Sequence, residues 1–180
     1  MALSKIQAES MNLADTYAFT GTVSGVDGKF ESQLFHLQHI EASSVSGGGN
    51  TAGTNNQRTL NSTVVNQISG ASVSSSNVTL PSGTYLIHAT GSCFRIARHF
   101  LRWYNSSDST YVLSGQSVFA DGNNEVQNLA TLWGRFTISA EKTFQLRHFT
   151  ENSYSQSNAL GIENNVTTNV YCNCLIWKIA

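Results

Sequence analysis

The sequence contains few charged residues and carries almost no net charge. Only 12% of its 180 residues are Asp, Glu, Lys or Arg, about half the usual ~25%, and the formal net charge is −1. A nucleic-acid-binding protein needs a basic excess to displace phosphate counterions, so we expect no nucleic-acid partner. Low charge accompanies disorder only when apolar content is also low, and here 40% of the residues are hydrophobic. The composition therefore predicts a folded domain.

Long apolar runs and targeting signals are also missing. No stretch approaches the ~20 apolar residues that span a bilayer, and the longest apolar runs have the length of a strand. The first ten residues contain one lysine, no apolar core and no small-residue cleavage site, so they do not predict a secretory signal. We expect no membrane insertion.

Cysteine is scarce, and its number is odd. Three cysteines are too few for a disulfide-stapled domain, and a bond from Cys93 to Cys172 or Cys174 would leave one thiol over. Cys172 and Cys174 share one face of a predicted strand at ~6.5–7 Å and could supply two ligands of a tetrahedral zinc, but a closed site needs two more. We expect all three cysteines to be reduced, buried and metal-free.

The usual signatures of catalysis are absent. The sequence has no His-X-His pair, and His36 and His39 point to opposite faces of a strand. It has no Gly-X-Ser-X-Gly motif and no cysteine-protease signature, and Gly47-Gly-Gly-Asn50 lacks the lysine and helix of a phosphate-binding loop. The acidic residues at or beside predicted turns are typical solvated turn formers: Asp108, Asp121, Glu125, Glu141 and Glu151. We therefore expect no enzyme, no cofactor, no metal and no catalytic residue.

From Gln33 onward, short runs with β-strand patterning alternate with turn-forming residues. The first run, Gln33–Ile40, precedes a Ser, Gly and Asn loop over residues 43–55. Further strand candidates are Arg58–Val65, Val78–Leu80, Thr84–Phe94, Phe100–Tyr104, Tyr111–Phe119, Glu125–Ile138, Thr143–Phe149 and Val170–Ile179. Eight or nine strands at this spacing, with no helix long enough for a parallel crossover, predict an all-β antiparallel β-sandwich.

Two of the predicted strands carry bulky apolar side chains on both faces. They are the segments Leu132–Ile138 and Cys174–Ile179, with Trp133, Phe136 and Trp177 as candidate subunit-interface residues. An obligate oligomer would produce such a pattern, because the second face is then buried against another subunit. A central strand covered by its own sheets and loops fits the pattern equally well.

One dense basic and aromatic cluster follows the predicted strand Thr84–Phe94. Its members are Arg95, Arg98, His99, Arg102, Trp103 and Tyr104. Arginine beside aromatic rings is typical of interface hot spots and of sugar-binding platforms. Arginines that donate to loop carbonyls would give the same pattern. The cluster is therefore a candidate surface or ligand-contact region, with these alternatives open.

Residues 1–32 differ from the rest of the chain. Their apolar residues show no clean helical or strand period, and Gly25–Gly28 follows as a turn-rich hinge. The candidate anchoring residues are Ile6, Met11, Leu13, Tyr17 and Phe19. These are too many for a solvated tail, so we expect an extended docking arm over residues 1–32 and a β domain over residues 33–180.

Five segments of the β domain together resemble a trimeric jelly-roll domain that ends many fibre and surface proteins of tailed bacteriophages. They are Gln57–Asn61, Leu80–Ile87, Trp133–Ile138, Lys142–Leu146 and Leu175–Lys178, and their order and spacing match that family. The segment Ser4–Gly25 is similar to sequences that precede such domains in virion proteins of marine phages.

The resemblance implies a jelly roll like those of tumour necrosis factor and complement globular heads, assembled as a homotrimer on the virion exterior. The protein would be made in the bacterial host cytoplasm and joined to other virion proteins of the capsid or tail. No long shaft precedes the domain, which favours a head decoration or short head fibre anchored by the arm. The alternative is a tail fibre or tail adhesin that recognises a host surface glycan or protein.

Overall fold

The computed structural model describes residues 33–121, 123–154 and 157–179. The predicted arm over residues 1–32, with its five anchoring residues, lies outside this part of the chain. The described residues form no helix and twelve strands, named here in chain order. They are β1 (Gln33–Glu41), β2 (Thr54–Gln57), β3 (Ser62–Asn66), β4 (Ser72–Ser74), β5 (Asn77–Leu80), β6 (Gly83–Phe94), β7 (Ala97–Asn105), β8 (Thr110–Ser114), β9 (Val118–Ala120), β10 (Gln127–Ile138), β11 (Lys142–Thr150) and β12 (Asn169–Lys178).

The strands form two antiparallel sheets. One has five strands in the order β10-β6-β12-β1-β3. The other has seven strands and follows the order β4-β5-β11-β7-β8, with β2 paired to β11 and β9 paired to β7. Neighbouring strands are mostly distant in sequence, as in the pairing of β1 with β12. This confirms the predicted all-β antiparallel sandwich.

Alternation along the strands explains where the core lies. Tyr85, Ile87 and Ala89 of β6 are fully buried, whereas the residues between them are more accessible. On β11, Phe144 and Leu146 are likewise fully buried. Since successive side chains of a strand point to opposite faces, each sheet contributes one face to a shared interior. The predicted inward faces of both strands are confirmed.

The sequence-based strand assignment differs from the structure at four places. The predicted strand Arg58–Val65 begins only at Ser62, as β3. Strand β2 begins in the predicted loop, and β4 was not predicted, because both are short and rich in Ser, Thr and Asn. The predicted strand Tyr111–Phe119 is two strands, β8 and β9, interrupted at Gly115. A Cβ at Gly115 would overlap the carbonyl oxygen of Thr131, so only glycine lets the chain pass this close to β10. In the described residues no helix could cross a bilayer.

Candidate functional site

The outer face of the five-stranded sheet is an apolar surface built by cross-strand pairing. One row places Leu34 opposite Trp177, and Trp177 opposite Leu86. The next row contains Leu175, and ends at Trp133 on the edge strand β10. We call these five residues the apolar face. It is interrupted by imidazoles: His36 is opposite Leu175, and His88 lies between Leu175 and Trp133.

Trp133 is the most exposed member of the apolar face. Its exposed fraction is 72%, and it lines an open depression of about 450 Å³ with Leu86, His88 and Trp177. Burial of an aromatic or large aliphatic side chain stabilises by about 1.5–3 kcal/mol, so this face would gain from a protein partner. Phe136 belongs elsewhere, because it is buried in the core and its ring stacks on Tyr85 at 5.4 Å. Phe136, which the sequence suggested as an interface residue, is therefore a core residue and not part of the apolar face.

The basic and aromatic cluster of the sequence is divided between the two faces of β7. His99 and Trp103 are fully buried and point into the sandwich, whereas Arg98 and Tyr104 lie on the outer side with Arg102. Arg98 pairs with Glu151 at 2.7 Å. Arg95 precedes β7 and belongs to neither face of this strand. Its guanidinium is 4.8 Å from the centroid of the Tyr154 ring.

The outer face of the seven-stranded sheet carries two stacked arginines. The Arg102 guanidinium lies 3.4 Å from the centroid of the Tyr111 ring, and the Arg147 guanidinium lies 3.6 Å from that of Tyr104. The two tyrosine rings are 4.9 Å apart, which joins both stacks into one group. We call Arg102, Tyr104, Tyr111 and Arg147 the Arg–Tyr array. Cation–π contacts of this kind hold a guanidinium in place without neutralising it.

Arg58, from the segment after β2, occupies the interior of the sandwich. It is fully buried and donates hydrogen bonds to the carbonyl oxygens of Ser92, Leu160 and Tyr171 at 3.1, 3.1 and 2.9 Å. Ser92 lies on β6 and Tyr171 on β12, so the guanidinium ties a segment leaving the seven-stranded sheet to the five-stranded sheet. No sequence pattern indicates this burial, because an arginine in a polar segment usually faces solvent.

Cys93, His99 and His148 lie together in the interior, with their ligand atoms within 4.8 Å of one another. His99 Nδ1 is 3.0 Å from His148 Nε2, and Cys93 Sγ is 3.4 Å from the same Nε2. Burial and the positive charge of Arg58 lower the pKa of His99 to about 4, and they hold the pKa of His148 well below its usual range. Burial raises the pKa of the Cys93 thiol to about 12. We call these residues and Arg58 the buried polar centre.

This arrangement does not suit nucleophilic catalysis. A catalytic cysteine needs a thiolate that substrate can reach, whereas Cys93 is fully buried and its raised pKa keeps it protonated. The three donors are close enough to share a cation, but among the described residues no fourth Cys, His, Asp or Glu joins them. The Arg58 charge also opposes a second cation there. A metal-free centre remains our expectation.

Sequence reasoning missed the buried polar centre because its members are far apart along the chain. Pairing of β7 with β11 sets His99 opposite Thr150 and His148 opposite Leu101, which brings the two imidazoles together. The alternation did indicate that His148 shares the inward face with Phe144 and Leu146, and the structure confirms it. Cys172 and Cys174 are buried as well, and the structure does not place them in a group of three metal-ligating residues within its described part.

Comparisons with known proteins identify the fold. No protein-family model and no curated protein matches the sequence. The globular domain of zebrafish complement 1qA protein matches with a TM-score of 0.54 at 12% identity, over 83% of this chain and 98% of that one. Murine APRIL, in a structure at pH 5.0, matches with a TM-score of 0.54 at 10% identity, over 82% and 99%. The PRD1 vertex protein P5 matches more weakly, with a TM-score of 0.45 at 19% identity, over 83% of this chain and 98% of that one. The chain therefore has the jelly-roll sandwich of complement-type globular domains.

Proposed function

We propose that this chain is a structural protein of a bacteriophage virion, displayed on its exterior as a homotrimer and anchored by residues 1–32. The apolar face carries the oligomeric part of this proposal, since Trp133 and its neighbours present bulky apolar groups on the outer side of a sheet. The number three and the phage origin are supported by the resemblance of the five sequence segments to trimeric phage domains. The fold is compatible with both.

The energetics favour association through the apolar face. Obligate interfaces bury on the order of a few thousand Å², and at ~25 cal/mol per Å² of apolar area the gross gain is tens of kcal/mol. The face also contains only one formally charged residue in its rows, Arg135, which lies opposite Leu86 at the edge. A nearly charge-free face loses little by desolvation when a second subunit covers it.

The oligomeric state tests this proposal directly. Light scattering at micromolar concentration should return about three times the 19.5 kDa chain mass. Trp133→Glu should lower the mass to that of one chain, because it sets a carboxylate in the buried interface. The control is Phe119→Glu, which alters a 56% exposed aromatic on the seven-stranded sheet and should leave the mass unchanged. A monomer mass for the unmodified protein would contradict the proposal.

Attachment to the particle has its own test. Deletion of residues 2–28 should leave a folded trimer that no longer joins virions, because the apolar residues of the arm gain their order by docking. The measurement is the amount of truncated protein in purified particles. Normal incorporation would place attachment in the β domain instead.

A receptor-binding role is the second candidate function, and the Arg–Tyr array favours it. Arginines stacked on aromatic rings at a solvent-facing surface are typical of binding sites for polar ligands. In that case the protein would be a tail fibre or tail adhesin that contacts a host surface glycan or protein.

A further inference from the structure

We propose that the Arg–Tyr array binds the acidic group of a saccharide, a carboxylate or a phosphate on a sugar ring. The inference rests on the proposed trimer, in which the five-stranded sheet is covered and the outer face of the seven-stranded sheet stays open. It extends the receptor-binding alternative by naming one class of ligand, an acidic saccharide, and the four residues of the Arg–Tyr array that would bind it.

The first observation is the position of the two positive charges. Arg102 on β7 and Arg147 on β11 are directly opposite each other in the antiparallel register, on the outer face of the sheet. Like charges in this position repel and destabilise a strand pair. A negatively charged ligand would relieve this repulsion and be attracted by both charges, since one anion can contact both guanidinium groups.

The second observation is that neither arginine is neutralised. In the described part of the chain, the ion pairs of Arg and Lys join Arg98 to Glu151 and Lys142 to Asp108, and both lie apart from the array. Within those same residues Arg102 makes ring contacts but no hydrogen bond, and its Nε is buried without a partner. Arg147 donates to Gln145 and to the Tyr111 hydroxyl. Both guanidinium groups thus keep N–H donors for a planar acidic group.

The third observation is the aromatic surface beside the charges. Phe100 and Phe149 form the next cross-strand pair, with ring centroids 5.0 Å apart, and both are half-buried. Rings at the surface offer an apolar contact for the C–H face of a sugar, whereas a free inorganic anion would gain nothing from them. The combination of two cations with adjacent rings therefore indicates an acidic sugar over a bare anion.

The test compares four probes on the full chain by isothermal titration calorimetry. These are tetragalacturonate, glucose 6-phosphate, the neutral sugar maltotetraose and inorganic phosphate. We expect binding of tetragalacturonate, of glucose 6-phosphate or of both, at least tenfold tighter than of maltotetraose and inorganic phosphate. The first two probes distinguish a carboxylate ligand from a phosphorylated one. Equal binding of all four probes, or of none, would overturn the proposal.

Variants locate the site. Arg102→Gln and Arg147→Gln should each weaken binding at least tenfold, whereas Arg98→Gln removes an exposed guanidinium at another position and should change it less than twofold. Tyr111→Phe keeps the ring under Arg102 and should bind nearly as the unmodified protein, but Tyr111→Leu should weaken binding. Equal losses with Arg98→Gln would show a general charge effect and contradict the site.

The molecular mass of each variant separates this inference from the proposed trimer. If Arg102→Gln or Arg147→Gln converts the trimer to a monomer, the array is a subunit contact and the saccharide site is wrong. If the unmodified protein is monomeric and still binds the acidic probe through these arginines, the trimer is wrong and the site stands.

Discussion

In the described part of the chain, two regions hold arginine without an ion pair to a carboxylate, and they stabilise its charge in opposite ways. In the buried polar centre, Arg58 donates to three backbone carbonyl oxygens and is surrounded by groups that stay neutral. In the Arg–Tyr array, Arg102 and Arg147 lie on tyrosine rings at the outer surface. Arg58 donates to fixed backbone acceptors in the interior, whereas the array keeps N–H donors at the surface for solvent or a ligand.

The difference follows from burial. An isolated cation in a low-dielectric interior is costly unless hydrogen bonds replace its water, so Arg58 has to be held by fixed acceptors. Burial lowers the pKa of the neighbouring His99 and His148, and the positive charge of Arg58 acts in the same direction, so both imidazoles stay neutral. The half-buried arginines of the array keep part of their hydration, and a tyrosine ring positions each of them. The centre should therefore matter for stability, and the array for binding.

Replacement of Arg58 should have the largest effect on stability. Arg58→Met keeps most of the side-chain volume but removes three charge-assisted hydrogen bonds, and we expect the free energy of unfolding to fall by about 4 kcal/mol. Denaturant unfolding measures the change. Arg58→Lys keeps the charge but cannot reproduce the planar arrangement of donors, so it should also lose stability. A loss below about 1 kcal/mol for Arg58→Met would show that the centre does not support the fold.

Acid should destabilise the protein through the imidazoles of the centre. Well above pH 6.5, His99 is neutral in both the folded and the unfolded chain. As the pH falls from 6.5 to about 4, the unfolded chain binds a proton that folded His99 does not, so stability is lost over this window by about 3 kcal/mol. His148 acts in the same direction, because its pKa is lowered too.

His99→Gln is the matched control for the acid effect. This variant retains all the carboxylates, and its stability at neutral pH should be lower, but the slope of stability against pH between 6.5 and 4 should be shallower. Denaturant midpoints at four or five pH values measure both slopes. Identical slopes in the two proteins would assign the acid effect to other groups.

Removal of the Cys93 thiol should have a moderate effect. If Cys93 acts as a small buried apolar residue, Cys93→Ala costs about 1–2 kcal/mol, and the unmodified protein carries no stoichiometric metal. Unfolding curves and elemental analysis by mass spectrometry measure these two quantities. One zinc per chain, or a disulfide at Cys93, would overturn the expectation that all three thiols are reduced and metal-free.

The contrast between the two regions also explains which features could be predicted from the sequence. Strand alternation depends on neighbouring residues, so it predicted the sandwich and the inward faces of β6 and β11. The buried polar centre depends on which strands become neighbours. Neither the sequence of β7 nor that of β11 alone indicates that the two strands pair. The basic and aromatic cluster was recognised as a group, but alternation sends His99 and Trp103 inward, away from Arg102. Arg147, which lies opposite Arg102 in the strand register, is 45 residues further along the chain.

The smallest effect on stability should come from the array itself. Arg147→Gln loses the stacking on Tyr104 and the hydrogen bonds to Gln145 and to the Tyr111 hydroxyl, which together contribute about 1 kcal/mol at this half-buried site. It also relieves the repulsion from Arg102 across the strand pair. These contributions oppose each other, so we expect the free energy of unfolding to change by less than about 0.5 kcal/mol in either direction. Arg98→Gln, which breaks an exposed ion pair with Glu151, should change it by a similarly small amount. Denaturant unfolding of both variants beside Arg58→Met measures the comparison in one series. A loss for Arg147→Gln as large as that for Arg58→Met would mean that the array holds the seven-stranded sheet together, and its arginines would then be structural in the same sense as Arg58.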